Sequence, residues 1–302
     1  MNNQYVLMDF IRFICALLVA ILHLAASKTR PDSWIYLNEK SAYQGFYETL
    51  NSFLFTGWIG VAIFFTISGF VVSISAQNSS SSRGFLVKRV LRLIPGLWIC
   101  TIISVVVLSS ICLDCSTGLL IESIWKSMLL FPAGPYVDGV VWTLVVEAMF
   151  YGWCFLFVLF FDKRKIVYLG VFLIVISSVY NLLNWFAPIL VDANIIKQLA
   201  RRLLLEHGCF FGFGVLLSQC TSQKVFRKLF PLMLLACLSA YLQILESTII
   251  IFETYSAHGA SKNALVPFSV WIIASLLLPL RVGSGSMVMR TVSRKFGLMT
   301  YP

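Results

Sequence analysis

An all-α bundle of transmembrane helices is the fold this sequence predicts, and three observations carry the prediction. Hydrophobic residues make up 59% of the 302 and charged residues only 12%, where a soluble domain carries about 25% charged. The apolar residues fall in runs near the length of about 20 that a spanning helix needs. The lysines and arginines fall between those runs, as the positive-inside rule places them.

Taken in order, the apolar runs predict spans at about 6–26, 53–76, 94–112, 141–161, 166–187, 203–219, 229–245 and 264–281. A ninth run begins at Phe296, and the chain stops at Tyr301–Pro302. A single domain over 1–302 is expected, stopping at the start of its last span, within a full fold of about nine to ten spans. No cleavable leader is read, because the first run already holds Asp9, Arg12 and His23 and no small-residue cleavage site follows a basic segment.

Orientation follows from the cations. The segments after the second, fourth, sixth and eighth runs hold Arg83, Lys88, Arg89, Arg92; Lys163, Arg164, Lys165; Lys224, Arg227, Lys228; and Arg281, Arg290, Arg294, Lys295. That is 14 cations, against eight in the alternate segments. The first set is read as cytoplasmic and the N-terminus as inside. The same placement argues that the net charge of +10 serves topology and anionic lipid, not nucleic acid. The eight cysteines lie mostly inside apolar runs, where a thiol packs as a small hydrophobe. Cys112 and Cys115 form the one C-x-x-C, and without a second pair or flanking histidine no metal site is read.

Ionisable residues inside spans are costly and mark function. Asp9 and Arg12 are an i, i+3 pair. Arg12 and His23 are eleven residues apart, an angular offset of about 20° on a helix of 100° per residue, so all three share one stripe. A snorkelling ion pair is the alternative for Asp9 and Arg12. Glu147, in Trp142-Thr143-Leu144-Val145-Val146-Glu147, is expected in the outer half of its span, level with His23. There a carboxylate could orient the imidazole, or simply bond a neighbouring helix; Trp142 and Tyr151 could be interfacial aromatics. Arg89 and Arg92, one turn apart at the cytoplasmic edge, suit a phosphate, although plain membrane anchoring accounts for their spacing too. The small residues of Gly57-x-x-Gly60 and Ser68-Gly69 predict close helix packing. Glu206 is expected to pair with Arg202, leaving His207 at the boundary beside them.

These residues, in this order, resemble the membrane acyltransferase 3 family. The resemblance rests on Asp9-x-x-Arg12 with His23, on G-x-x-G-V-x-x-F-F-x-x-S-G-F over 57–70, on Arg89-x-x-Arg92 with Pro95, and on W-T-L-x-V-E over 142–147 with Phe150-Tyr151. The segment from Phe296 to Pro302 is similar to the start of that family's last common span. Where a second acid often follows Glu147, this chain has Ala148.

The resemblance implies an O-acyltransferase of a bacterial inner membrane. Acyl-CoA, with acetyl as the expected group, is its co-substrate and no cofactor stays bound. The acceptor is a hydroxyl of an envelope or extracellular saccharide, free or lipid-linked. His23 would be the catalytic base and Glu147 its catalytic partner. Arg12, Arg89 and Arg92 would hold the donor, and Asp9, Ser68, Trp142 and Tyr151 would complete the substrate site. A transporter or flippase of lipid-linked saccharide, or an inactive relative, is the competing reading.

Overall fold

The computed structural model describes residues 6–27, 55–111, 117–188, 200, 203–255 and 264–279. The expected ninth run, the Cys112–Cys115 pair, Arg202, and the cations at 281–295 lie outside these residues.

Every regular element among the described residues is helical. The helices are α1 (Val6–Ser27), α2 (Ile59–Gln77), α3 (Ser82–Ile111), α4 (Thr117–Met128), α5 (Val141–Phe160), α6 (Val167–Phe186), α7 (Gly208–Gln219), α8 (Gln223–Tyr255) and α9 (Leu265–Leu277). Short 3₁₀ turns, Phe55–Trp58 and Lys163–Lys165, lead into α2 and α6. Among the described residues five helices, α2, α3, α5, α6 and α8, are long and apolar enough to cross a membrane. The chain is an integral membrane protein.

The core forms around α2 and α7. Both are apolar on all sides, as a helix buried within a bundle must be: every residue of α7 from Gly208 to Leu217 is buried. Small residues let the backbones meet. A Cβ on Gly69 would strike the carbonyl of Phe211, and one on Gly214 would strike the carbonyl of Thr66. The two helices run parallel, since Phe65 meets Phe211, Ser73 meets Ser218 and Gln77 meets Gln219. At the far side of α2, Thr66 accepts a hydrogen bond at 2.9 Å from the indole of Trp271 on α9. Gly214→Ala is expected to force α2 and α7 apart at about 1–3 kcal/mol, read as a lower melting temperature of the detergent-solubilised protein.

α1 packs antiparallel to α2, again through glycine. Gly57 faces Leu18 and Leu22, and Gly60 faces Cys15 and Val19. The expected close packing at these positions is what the helices do.

Three expectations change. The basic segment before Pro95 is the first part of α3, a 30-residue helix, and not a loop; its charges lower the local hydropathy and hide the continuity. The sixth run contributes the 12-residue helix α7, about 18 Å long, because residues 203–207 form turns with Leu204 at a φ of 61°. The seventh run is extended at both ends into the 33 residues of α8. α4 is an element the hydropathy does not predict. It is short and carries its own Lys126–Glu122 ion pair, and it docks through a hydrogen bond of 3.0 Å from the Trp98 indole to the Met128 carbonyl.

Candidate active site

The polar residues of α2, α3 and α5 converge beside the Asp9–Arg12 end of α1. Ser68 lies two helical turns past Gly60 on the same face of α2, the face that packs on α1. Its hydroxyl donates to Glu147 Oε1 at 2.7 Å. Tyr151, one turn further along α5, donates to the same oxygen at 2.6 Å. One carboxylate oxygen is thus held by two hydroxyls. A carboxylate has two oxygens that accept, and among the described residues Oε2 has no hydrogen-bond partner. Glu147 is half-buried.

Above the Tyr151 ring sits Arg89. Its guanidinium carbon is 5.7 Å from that ring's centre and 5.5 Å from the Phe85 ring, within the range of a cation–π contact. Arg89 is 5% exposed, and its Nε is buried without a hydrogen-bond partner among the described residues. Helix α3 turns this residue inward because Phe85 and Arg89 are one turn apart, and Phe85 is a fully buried anchor. Arg92, one turn further along, lies within electrostatic reach of both Tyr151 and Asp9. Asp9 in turn contacts Arg12 at 3.4 Å, and Arg12 is 4% exposed. Isolated ion pairs at an interface snorkel toward water; this arginine is buried instead.

Seven expected residues therefore form one centre: Asp9, Arg12, Ser68, Arg89, Arg92, Glu147 and Tyr151. Three cations and two carboxylates meet there across four helices. A buried guanidinium with an unused donor is suited to an anionic oxygen, and the carboxylate can accept a proton or a hydroxyl hydrogen bond.

His23 is not part of that centre. Ser68 is eleven residues along from Gly57, and Gly57 sits against Leu22, so about 16 Å of helix rise separates the level of His23 from that of Glu147. The expected shared level is corrected. Its cause is the offset of α5: the first turn of α5 meets α2 at Phe65, eight residues past Gly57, the position that faces Leu22. Glu147 consequently holds Ser68 and Tyr151 and does not orient the imidazole. His23 itself is exposed near the far end of α1.

Trp142 stands between these levels, 38% exposed, with its ring 6.3 Å from Phe65 and 5.6 Å from His207. Sequence reasoning placed His207 beside a Glu206–Arg202 pair; Arg202 lies outside the described residues, and the imidazole packs on α2 and α5. Also unanticipated is the buried Asn181 of α6, which donates at 2.9 Å to Ser239 of α8 and at 3.5 Å to the Glu206 carbonyl. An Asn facing inward from an apolar run was the available signal.

Comparison with known proteins gives the family and two partial relatives. A 159-residue stretch is 29% identical to an O-acetyl transferase of Shigella phage Sf6, covering 47% of this chain and 43% of that protein. Another, of 113 residues, is 35% identical to nodulation protein 10 of Rhizobium leguminosarum bv. viciae, covering 30% of each. The chain thus spans less than half the length of either relative. No solved structure matches. The acyltransferase domain family matches residues 5–302, which takes in every polar residue described above: the chain belongs to the acyltransferase 3 family.

Proposed function

We propose that this protein transfers an acyl group, acetyl in the first instance, from cytoplasmic acyl-CoA to a hydroxyl of a cell-envelope saccharide, in a bacterial inner membrane. The observation that carries the proposal is Arg89, a buried arginine with an unused donor beside the Ser68–Glu147–Tyr151 centre. The printed name of the phage relative, an O-acetyl transferase, supports the reaction class.

The donor's phosphates are held by Arg89 and Arg92, with Arg12 at the entrance to the route. Arginine forks bind phosphate through paired charge-assisted hydrogen bonds. From Arg12 to His23 the α1 stripe rises about 16 Å, the length scale of an extended pantetheine arm. The arm runs along that stripe toward His23, with Asp9, Ser68 and Glu147 grouped at its phosphate end beside Arg12. At the far end the imidazole of His23 takes the proton of the acceptor hydroxyl. The hydroxyl oxygen attacks the thioester carbonyl, the carbon–sulfur bond breaks, and CoA leaves as a thiolate that takes up a proton.

A second reading rests on Glu147. Its Oε1 is fixed by two hydroxyls while Oε2 has no partner among the described residues, the arrangement of a positioned base, and at about 16 Å of axial separation His23 and Glu147 do not touch the same hydroxyl. Glu147→Gln separates the two. With His23 as base, this variant keeps both hydroxyl contacts and slows transfer less than tenfold. With Glu147 as base, the loss is about 10²–10⁴-fold.

The experiment for the function itself is incubation of membranes containing the full chain with isotopically labelled acetyl-CoA, followed by mass spectrometry of the envelope glycans. Label is expected in ester linkage on a saccharide. Saccharide transport with no use of acetyl-CoA would favour a flippase and defeat the proposal.

A further inference from the structure

We infer that Glu147 reads the pantetheine arm of the donor, its Oε2 accepting a hydrogen bond from the pantoyl hydroxyl or the adjoining amide N–H while Arg89 holds the diphosphate. This rests on the acyl-transfer reading above. The register is fixed by Arg89 of α3, Tyr151 and Glu147 of α5, and Ser68 of α2.

Tyr151 separates the two functions. Its ring lies under Arg89, 5.7 Å from the guanidinium carbon, and its hydroxyl donates to Glu147 Oε1 at 2.6 Å. Ser68 donates to the same oxygen at 2.7 Å. Both donors are buried, so Oε1 is held from two helices and fully used. Oε2 has no partner among the described residues, and it stays accessible on a half-buried side chain. Arg89 is the complementary case, a buried cation whose Nε has no partner among the described residues. A cation and an acceptor, each with unused capacity, thus stand on either side of one tyrosine.

The chemistry selects the arm. A carboxylate accepts hydrogen bonds and does not donate, and the oxygens of a diphosphate accept as well. Glu147 and the diphosphate therefore repel, and the group at Oε2 must be a donor. In an acyl-CoA the segment next to the diphosphate carries a hydroxyl and then an amide N–H. The acceptor saccharide also offers hydroxyls, but the reacting one sits at His23, about 16 Å of helix rise from Glu147. Arg89 is one tyrosine ring away. The carboxylate gives the site a means to prefer acyl-CoA over nucleotides that bring the same phosphates without the arm.

The test uses the full chain in lipid nanodiscs and two probes, CoA and its nucleotide half, 3′-phosphoadenosine 5′-diphosphate, with affinities read by calorimetry. Glu147→Gln keeps an oxygen for Ser68 and Tyr151 and sets an amide NH₂ where Oε2 stands, a donor facing a donor. It is expected to weaken CoA binding about tenfold, the loss of one hydrogen bond to a carboxylate. The nucleotide half should bind as tightly as to wild type, or more tightly, because a negative charge beside the phosphates is gone. Tyr151→Phe keeps the ring under Arg89 and releases Oε1 from one hydroxyl; it should weaken CoA about threefold and leave the nucleotide half unchanged. In transfer assays the Glu147→Gln loss should appear in the KM for acetyl-CoA.

A purely structural role would weaken both probes by the same factor in both variants, and that result overturns the inference. So does CoA binding to Glu147→Gln as tightly as to wild type, with the loss confined to kcat, which assigns Glu147 as the base. Failure of the acyl-transfer reading looks different: neither probe binds wild type, and both proposals fall together.

Discussion

His23→Ala is expected to reduce acetyl transfer about 10²–10⁴-fold, the range that loss of a general base produces, while acetyl-CoA binding stays within twofold of wild type. The separation of effects follows from position. His23 is exposed at one end of α1, and the arginines lie near the other, about 16 Å of helix rise away. No contact in the core depends on the imidazole: the α1–α2 packing runs through Gly57 and Gly60 against Leu18, Leu22, Cys15 and Val19. The melting temperature should therefore be unchanged. The check is transfer rate and acetyl-CoA affinity in the same membrane preparation. A variant that transfers at the wild-type rate would remove His23 from the mechanism and leave Glu147 as the base.

Arg89→Ala should produce the opposite pattern. Acetyl-CoA affinity should fall about 10- to 100-fold, since hydrogen bonds to a charged group contribute about 1.5–3 kcal/mol. The same change should leave the unliganded protein as stable as wild type, or more so. Among the described residues Arg89 has no ion-pair partner and its Nε is buried unpaired, so removing it takes away a buried charge that no direct carboxylate contact compensates. Breaking a buried ion pair destabilises; deleting a charge that has no pair does not carry that penalty. Wild type should gain thermal stability with rising acetyl-CoA, in proportion to the logarithm of ligand over dissociation constant, and the variant should lose most of that gain. Arg89→Lys is expected to behave more like Ala than like Arg, because an ammonium offers no planar fork. A large fall in the melting temperature of the unliganded Arg89→Ala protein would instead assign Arg89 a structural role.

The sequence makes the membrane class and the alternation of helices legible because both depend on local composition. Runs near the length of a bilayer crossing, separated by cations, need no tertiary information. Glu147 and Tyr151 are an i, i+4 pair, so their contact is legible as well. Ser68 is 79 residues from Glu147, and nothing local reveals that the two helices meet there. The level of Glu147 is hidden for a related reason: counting from the start of a span assumes that spans begin at one height, whereas α5 begins opposite Phe65. His207 was read by its neighbours in sequence, Glu206 and Arg202. Its partners in space, Phe65 and Trp142, come from helices far away in the chain. α4 escaped because a short helix stabilised by its own Lys126–Glu122 pair and by docking on Trp98 has no apolar run to announce it.

The central claim is that donor and acceptor reach this site from opposite faces of the membrane, and transfer in sealed vesicles of known orientation tests it most directly. Labelled acetyl-CoA would be supplied to one face at a time, and label followed into ester-linked glycan on the other. Label is predicted to cross to glycan only when acetyl-CoA is on the face bearing the α2–α3 turn at Asn78–Ser81, next to Arg83 and Lys88. Equal labelling from either face, or glycan acetylation with acetyl-CoA confined to the opposite face, would contradict it.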